Sequence, residues 1–217
     1  MKVLNLYSGI GGNRKLWKDV EVTAVENNKE IAGIYQDFFP EDKVIVADAH
    51  QYLLENYKEF DFIWSSPPCP THSEMRRCGV YRGQYEAKYP NMKLYEEIIM
   101  LQYFSRCPWV IENVRSYYEP LIKPYEVHRH YFWSNFEISF FKTYRNFNIV
   151  KARSSTIENS EEDISELEEY HGIKLPKDTK NKRLLLRNCV NPKIGLHILK
   201  ESQKEQQTLI PPPNVIN

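Results

Sequence analysis

The feature that most constrains this chain is a recurrence in its first half. Short apolar runs of strand length alternate with helical stretches, and each run ends in a polar or conformationally unusual residue. Residues 2–6 form the first run and open into Ser8-Gly9-Ile10-Gly11-Gly12, after which residues 13–18 begin like a helix. Residues 20–26 form the second, ending at Glu26, and a helix over 29–38 is closed by Pro40. The third, 44–47, ends at Asp48; the fourth, 60–65, runs into Pro67-Pro68-Cys69-Pro70. A helix over 94–104 with Ile98, Leu101, Tyr103 and Phe104 leads to a fifth strand, 109–111, ending at Glu112-Asn113. Strands separated by helices predict an α/β fold, a mostly parallel sheet with helices on both faces. Such sheets bind ligands beyond the carboxyl ends of their strands, where all of these residues fall.

The second half reads differently. Residues 130–141 are dense in aromatics and read as strands, a hairpin. Residues 158–169 are acidic and helical through Ile164, Leu167 and Tyr170, and 174–183 are basic, with Pro176 marking a turn. Residues 184–200 read as helical after Asn188, with Pro192 in the first turn, and the tail around Pro211-Pro212-Pro213 as extended. A length of 217 residues suits one domain, alone or with a small appendage, and 41% hydrophobic residues can build its core. No apolar run reaches the roughly 18 residues a membrane span needs, and residues 1–7 lack a signal-peptide pattern. The four cysteines show no zinc-type spacing, so they are expected to be reduced thiols of a cytoplasmic protein. With 29 basic and 29 acidic residues, net charge offers no general attraction to nucleic acid; only a local basic stripe could grip phosphates.

Three constellations carry chemistry. The glycine turn lets a ligand approach the backbone closely, Glu26 stands where ribose hydroxyls are bound, and Asp48 where an adenine amino group is. Each carboxylate alone could be a solvated strand end; together, after the glycine turn, they point to an adenosine-containing cofactor. In the second, prolines on both sides of Cys69 stiffen its loop and present the thiol at a strand end. Nearby Arg76, Arg77 and Arg82 could lower its pKa and activate it as a nucleophile; the alternative is a packed, inert cysteine, the reading kept for Cys78, Cys107 and Cys189. In the third, Glu112 leaves a buried strand into the same rim, where a raised pKa would make it an acid; its alternative is a cap or ion pair.

In this order the motifs resemble the DNA (cytosine-5)-methyltransferase family. Leu4-Asn5-Leu6-Tyr7-Ser8-Gly9-Ile10-Gly11-Gly12 resembles its first cofactor motif, Pro67-Pro68-Cys69-Pro70 its nucleophile loop, and Glu112-Asn113-Val114 its Glu-Asn-Val signature. His128-Arg129-His130-Tyr131-Phe132-Trp133-Ser134-Asn135 resembles the eighth motif, and Arg187-Asn188-Cys189-Val190-Asn191-Pro192 the last. The resemblance implies a Rossmann-like methyltransferase fold and S-adenosyl-L-methionine as cofactor, held by Tyr7, Ser8, Gly9, Gly12, Glu26, Asn27, Asp48, Ala49, Pro68, Asn188 and Cys189. It implies that Cys69 adds to carbon-6 of a flipped-out cytosine, that Glu112 holds a proton at ring nitrogen 3, and that Arg129 and His130 help hold the base. Ser73, Arg76, Arg77, Arg82, Lys142 and Arg145 would contact the nucleic acid, and no metal is called for. Residues 1–136 would form the catalytic and cofactor-binding domain, 137–183 a small target-recognition region, 184–204 a segment returning to the catalytic domain, and 205–217 a tail. The implied partner is double-stranded DNA, with tRNA as the alternative, and a cognate restriction endonuclease could accompany it; no membrane is involved.

The chain also departs from the pattern. The two eighth-motif arginines are His128 and His130 here, with Arg129 between them, so either His130 or Arg129 takes the role. No glutamine follows Pro70-flanked Cys69, and Arg187 replaces the glycine usual before the last-motif asparagine. Three other readings compete: an amino-group methyltransferase, which needs an aromatic residue at position 69, a catalytically silent DNA- or cofactor-binding module, and a nicotinamide-dependent oxidoreductase, which leaves Cys69 and Glu112 unused.

Overall fold

A computed structural model describes residues 1–127, 129–139 and 161–205. Five strands lie parallel: β1 (Lys2–Leu6), β2 (Glu21–Val25), β3 (Lys43–Ile45), β4 (Phe62–Ser65) and β5 (Trp109–Val114). Two more, β6 (Tyr125–Val127) and β7 (His130–Ser134), form an antiparallel hairpin whose second strand pairs with β5. The sheet order is β3-β2-β1-β4-β5-β7-β6. The order reverses between β1 and β4, so the crevice such a reversal opens lies beyond their carboxyl ends. The glycine turn follows one of these strands and the Cys69 loop the other, which is what puts them together.

Alternation along the strands sorts the core onto two faces. Val3, Val22, Phe62, Trp64, Val110 and Phe132 share one cluster with Ile194, Ile198 and Leu199 of α7 (Pro192–Glu205). Leu4, Ile63, Trp109, Ile111 and Trp133 share the other with α2 (Ala49–Asn56) and α4 (Lys93–Phe104), through Leu53, Leu94, Ile98 and Leu101. Each fully buried aliphatic side chain contributes about 1.5–3 kcal/mol, and these three tie α7 to the sheet. A third cluster joins Ile10 of the glycine turn to α5 (Glu161–His171) and α6 (Lys182–Arg187) through Leu167, Leu186 and Cys189. Ile31, Ile34 and Phe38 of α1 (Lys29–Phe38) pack against it. With helices on both faces of a mostly parallel sheet, the fold is Rossmann-like.

Local sequence sets the boundaries. Asn28 caps α1 by accepting from the Glu30 and Ile31 amides, Asp48 caps α2 by accepting from Gln51, and Pro192 opens α7, where its missing N–H costs nothing. Residues 13–18, expected to begin a helix, form turns instead. Their side chains are committed elsewhere: Asn13 to buried Asn5, Arg14 to the Asp42 carboxylate at 2.8 and 2.9 Å, and Trp17 to the core. A six-residue helix has no stability of its own to compete with these ties. Helices α2 and α3 (Glu74–Tyr81) and strand β6 were not anticipated, and the aromatic segment after 130 pairs backward with β6. His128, Lys142, Arg145 and the tail after 205 lie outside the described residues.

Candidate active site

The nucleophile loop is held from several sides. The buried Asn113 side chain donates to the Pro67 carbonyl at 2.9 Å, binding the loop to the end of β5. The Cys69 carbonyl accepts from the His72 and Ser73 amides, both at 3.0 Å, and Ser73 then caps α3. Thus Asn113, read from sequence only as part of a signature, is the clamp of the loop. Asn113→Ala leaves the buried Pro67 carbonyl without its donor, which costs about 1–3 kcal/mol. The expected result is a lower urea midpoint with faster hydrogen exchange across residues 66–70, and unchanged exchange there would exclude the clamp.

Strands β4 and β5 pair directly, Ser65 opposite Ile111, so the loops that follow them face one pocket. Glu112 is buried, and desolvation pushes its carboxyl up to about 7, against the pull of the Ser66 hydroxyl and the Arg129 charge. Cys69, half-buried, is pushed up to about 11 by burial and by the Glu112 carboxylate, with Arg129 opposing. This corrects the expectation of an acidified thiol: in the free protein it holds its proton. It also corrects the source of the positive field. Arg76, Arg77 and Arg82 do not supply it; Arg129 does, and it acts on both reacting groups.

His130 opens β7, the strand paired with β5, its Nε2 3.7 Å from Glu112 Oε1, near enough for electrostatics but too far for a hydrogen bond. Around Arg129 gather Tyr170, Arg187 and His171, the last pushed down to about 4 by burial and by the Arg129 charge. The eighth-motif segment therefore brings both Arg129 and His130 to Glu112. The end of α5, expected in a target-recognition region, closes on this side of the site. Along α3, the Arg77 guanidinium lies 4.9 Å from the Tyr81 ring and 4.6 Å from Tyr117, and Arg76 lies 4.9 Å from Tyr85. Arg77 and Arg82 are exposed, just beyond the nucleophile loop.

Residues 1–120 match the family model described as C-5 cytosine-specific DNA methylase. The chain belongs to this family. A tRNA (cytosine(38)-C(5))-methyltransferase of Spodoptera frugiperda is 36% identical over 75 residues, 31% of this chain and 23% of that protein. The chain thus spans about a quarter of the length of this curated relative. Among solved structures, a mutant of Spodoptera frugiperda DNMT2 overlays with TM-score 0.38 at 26% identity, covering 52% of this chain and 35% of that one. A SAM-dependent methyltransferase from Agrobacterium tumefaciens overlays with TM-score 0.35 at 17% identity, covering 54% and 40%.

C-5 cytosine methylases use S-adenosyl-L-methionine, and the glycine-turn side of this chain fits it. The Ser8 hydroxyl is buried and has no hydrogen-bond partner among the described residues. Gly9, at φ 53°, leaves open space where a side chain would stand. Buried Glu26 is fixed by the Gly9 and Asn28 amides at 3.1 and 3.0 Å, and accepting two amides leaves lone pairs for hydroxyl donors. Asn27, Pro68 and Asn188 are exposed around this rim, and Ala49 is buried at the start of α2. Asp48 is exposed and occupied in part by capping α2, the Gln51 amide holding its carboxyl below the usual range. Gly12 serves packing: a side chain there would come within 2.7 Å of the Val190 carbonyl and 2.9 Å of Cys189. The Cys189 thiol, buried against it, is pushed up to about 12.

Four residues of this site escaped sequence reading. Glu97 of α4 is fully buried, accepting from the Tyr7 hydroxyl and the Ser65 hydroxyl at 2.7 Å each, with His50 Nδ1 at 3.1 Å. Ser66 links the core to the acid, accepting from Trp64 Nε1 at 2.9 Å while it bonds Glu112. A signal for Glu97 existed: Leu94, Ile98 and Leu101 mark the buried face of α4, and position 97 falls on it. A carboxylate on an apolar face is rarely left there unpaired.

Proposed function

We propose that this chain methylates carbon-5 of cytosine in duplex DNA, with Cys69 as covalent nucleophile and Glu112 as the acid. The observation that carries the reading is the pairing of a half-buried thiol and a buried carboxyl at adjacent strand ends, the carboxylate raising the thiol's proton affinity and Arg129 acting on both. A carboxyl poised near 7 suits proton exchange at neutral pH. It is basic enough to help remove the thiol's proton and acidic enough to hold one at cytosine nitrogen 3. With nitrogen 3 protonated, the ring accepts the Cys69 sulfur at carbon-6, and electron density rises at carbon-5. S-adenosylmethionine, when bound, would supply a sulfonium-activated methyl group to that carbon; loss of the carbon-5 proton and expulsion of the Cys69 sulfur from carbon-6 then release 5-methylcytosine. Arg129, beside both groups, stabilises the thiolate and limits how far Glu112 rises. A cytosine inside a duplex cannot reach this recess, so the base is turned out of the helix. Arg77 and Arg82, exposed beyond the loop, meet the phosphates.

The same chemistry on tRNA is the second reading, favoured by the tRNA methyltransferase relative, whose match covers 31% of this chain. Incubation with tritiated S-adenosylmethionine separates the two. Label on unmethylated duplex DNA, recovered as 5-methylcytosine, is the expected result. Label on tRNA with none on DNA would replace the DNA reading. Label on neither, with cofactor bound, would leave a silent module.

A further inference from the structure

Glu97 is fully buried, yet its two oxygens are engaged by three segments that flank different parts of the site. Tyr7, from the glycine turn, and Ser65, the last residue of β4, each donate a hydroxyl to it at 2.7 Å, one on each oxygen. His50, in the first turn of the helix that Asp48 caps, places Nδ1 at 3.1 Å. Its other nitrogen is 3.6 Å from Glu96, and this carboxylate surround raises its proton affinity. Lys93, the remaining charge nearby, lies 4.0 Å from Asp48. Tyr7 itself is held at φ 53°, a left-handed backbone that a tyrosine adopts only when its surroundings impose it. Among the described residues, the one side-chain hydrogen bond that orients this tyrosine runs to Glu97. Ser65 in turn precedes Ser66 and the prolines that carry Cys69.

We propose that Glu97 is a positioning residue of the cofactor pocket: it fixes Tyr7 and the root of the nucleophile loop in one register, so that S-adenosylmethionine is received by a preformed wall. The carboxylate touches neither cofactor nor base and acts through the tyrosine. The proposal rests on reading the glycine turn as the cofactor side of the site.

Equilibrium dialysis with labelled S-adenosylmethionine tests it on the full chain, with no methyl transfer required. Glu97→Gln and Tyr7→Phe, the second a mild change that keeps the ring, should each raise Kd by about ten-fold, the weight of one hydrogen bond to a charged group. The double variant should match Glu97→Gln within about two-fold, because the phenol has no other partner among the described residues to lose. A carboxylate of merely structural value would lower the melting temperature and the number of sites, leaving the Kd of the remaining sites unchanged. Wild-type binding with both single variants within about two-fold of it overturns the proposal alone. A wild type that binds no S-adenosylmethionine overturns the cofactor reading and the proposal with it.

Discussion

Cys69→Ala is expected to fold, to bind S-adenosylmethionine as the wild type does, and to lose methyl transfer by about 10⁴-fold or more. The small structural cost follows from the position. The thiol is half-buried at a strand end, and its loop is held by Asn113 and by the turn closing on the Cys69 carbonyl, neither of which uses sulfur. The large chemical cost follows from cytosine itself, whose carbon-5 becomes nucleophilic only when a nucleophile adds at carbon-6. Duplex DNA with 5-fluorocytosine at target sites gives a second readout. Fluorine cannot leave carbon-5 as a proton does, so the adduct cannot resolve. The wild type should run as a denaturant-stable protein–DNA band, and Cys69→Ala should form none. Activity of the variant within about ten-fold of wild type would remove the nucleophile, since no triad-like partner here could replace it.

How much of this was legible beforehand differs by element. The parallel strands and their chemistry-bearing ends could be read because buried strands are near-continuous apolar runs, and what breaks them is conspicuous. The helix expected at 13–18 failed because its polar residues answer to partners outside the segment, Asn5 on the preceding strand and Asp42, 28 positions from Arg14. The thiol's pKa likewise depends on groups remote in sequence. Three nearby arginines in sequence suggested a positive field, whereas the charges that face the sulfur are Glu112 and Arg129, 43 and 60 positions away. The role of Asn113 as a clamp also depends on a contact across 46 positions. Glu97 alone was visible in principle, as a charge on the apolar face of an otherwise regular helix.

Glu112→Gln should move activity and stability in opposite directions. Without a group that can exchange a proton near neutrality, methyl transfer should fall by about 10²–10⁴-fold. Stability should rise, but only where the carboxyl would be ionised. Burial lifts Glu112 from 4.5 to about 7, so the folded state binds this proton more tightly than the unfolded chain does. Wild-type stability is therefore highest below the unfolded pKa and is lost as pH rises toward 7; above that the loss is complete, on the order of 3 kcal/mol. Glutamine, never charged, escapes this loss. Urea midpoints should converge near pH 4 and separate by pH 8, with the variant higher. The Cys69 thiol supplies an independent check, because the carboxylate that helps hold its proton would be gone. Alkylation of Cys69 by iodoacetamide at pH 8 should be faster in Glu112→Gln even as methylation slows. Parallel urea profiles from pH 4 to 8 would mean that burial does not hold the Glu112 proton, and slower alkylation in the variant that Glu112 does not hold the Cys69 proton; either removes the proposed proton exchange.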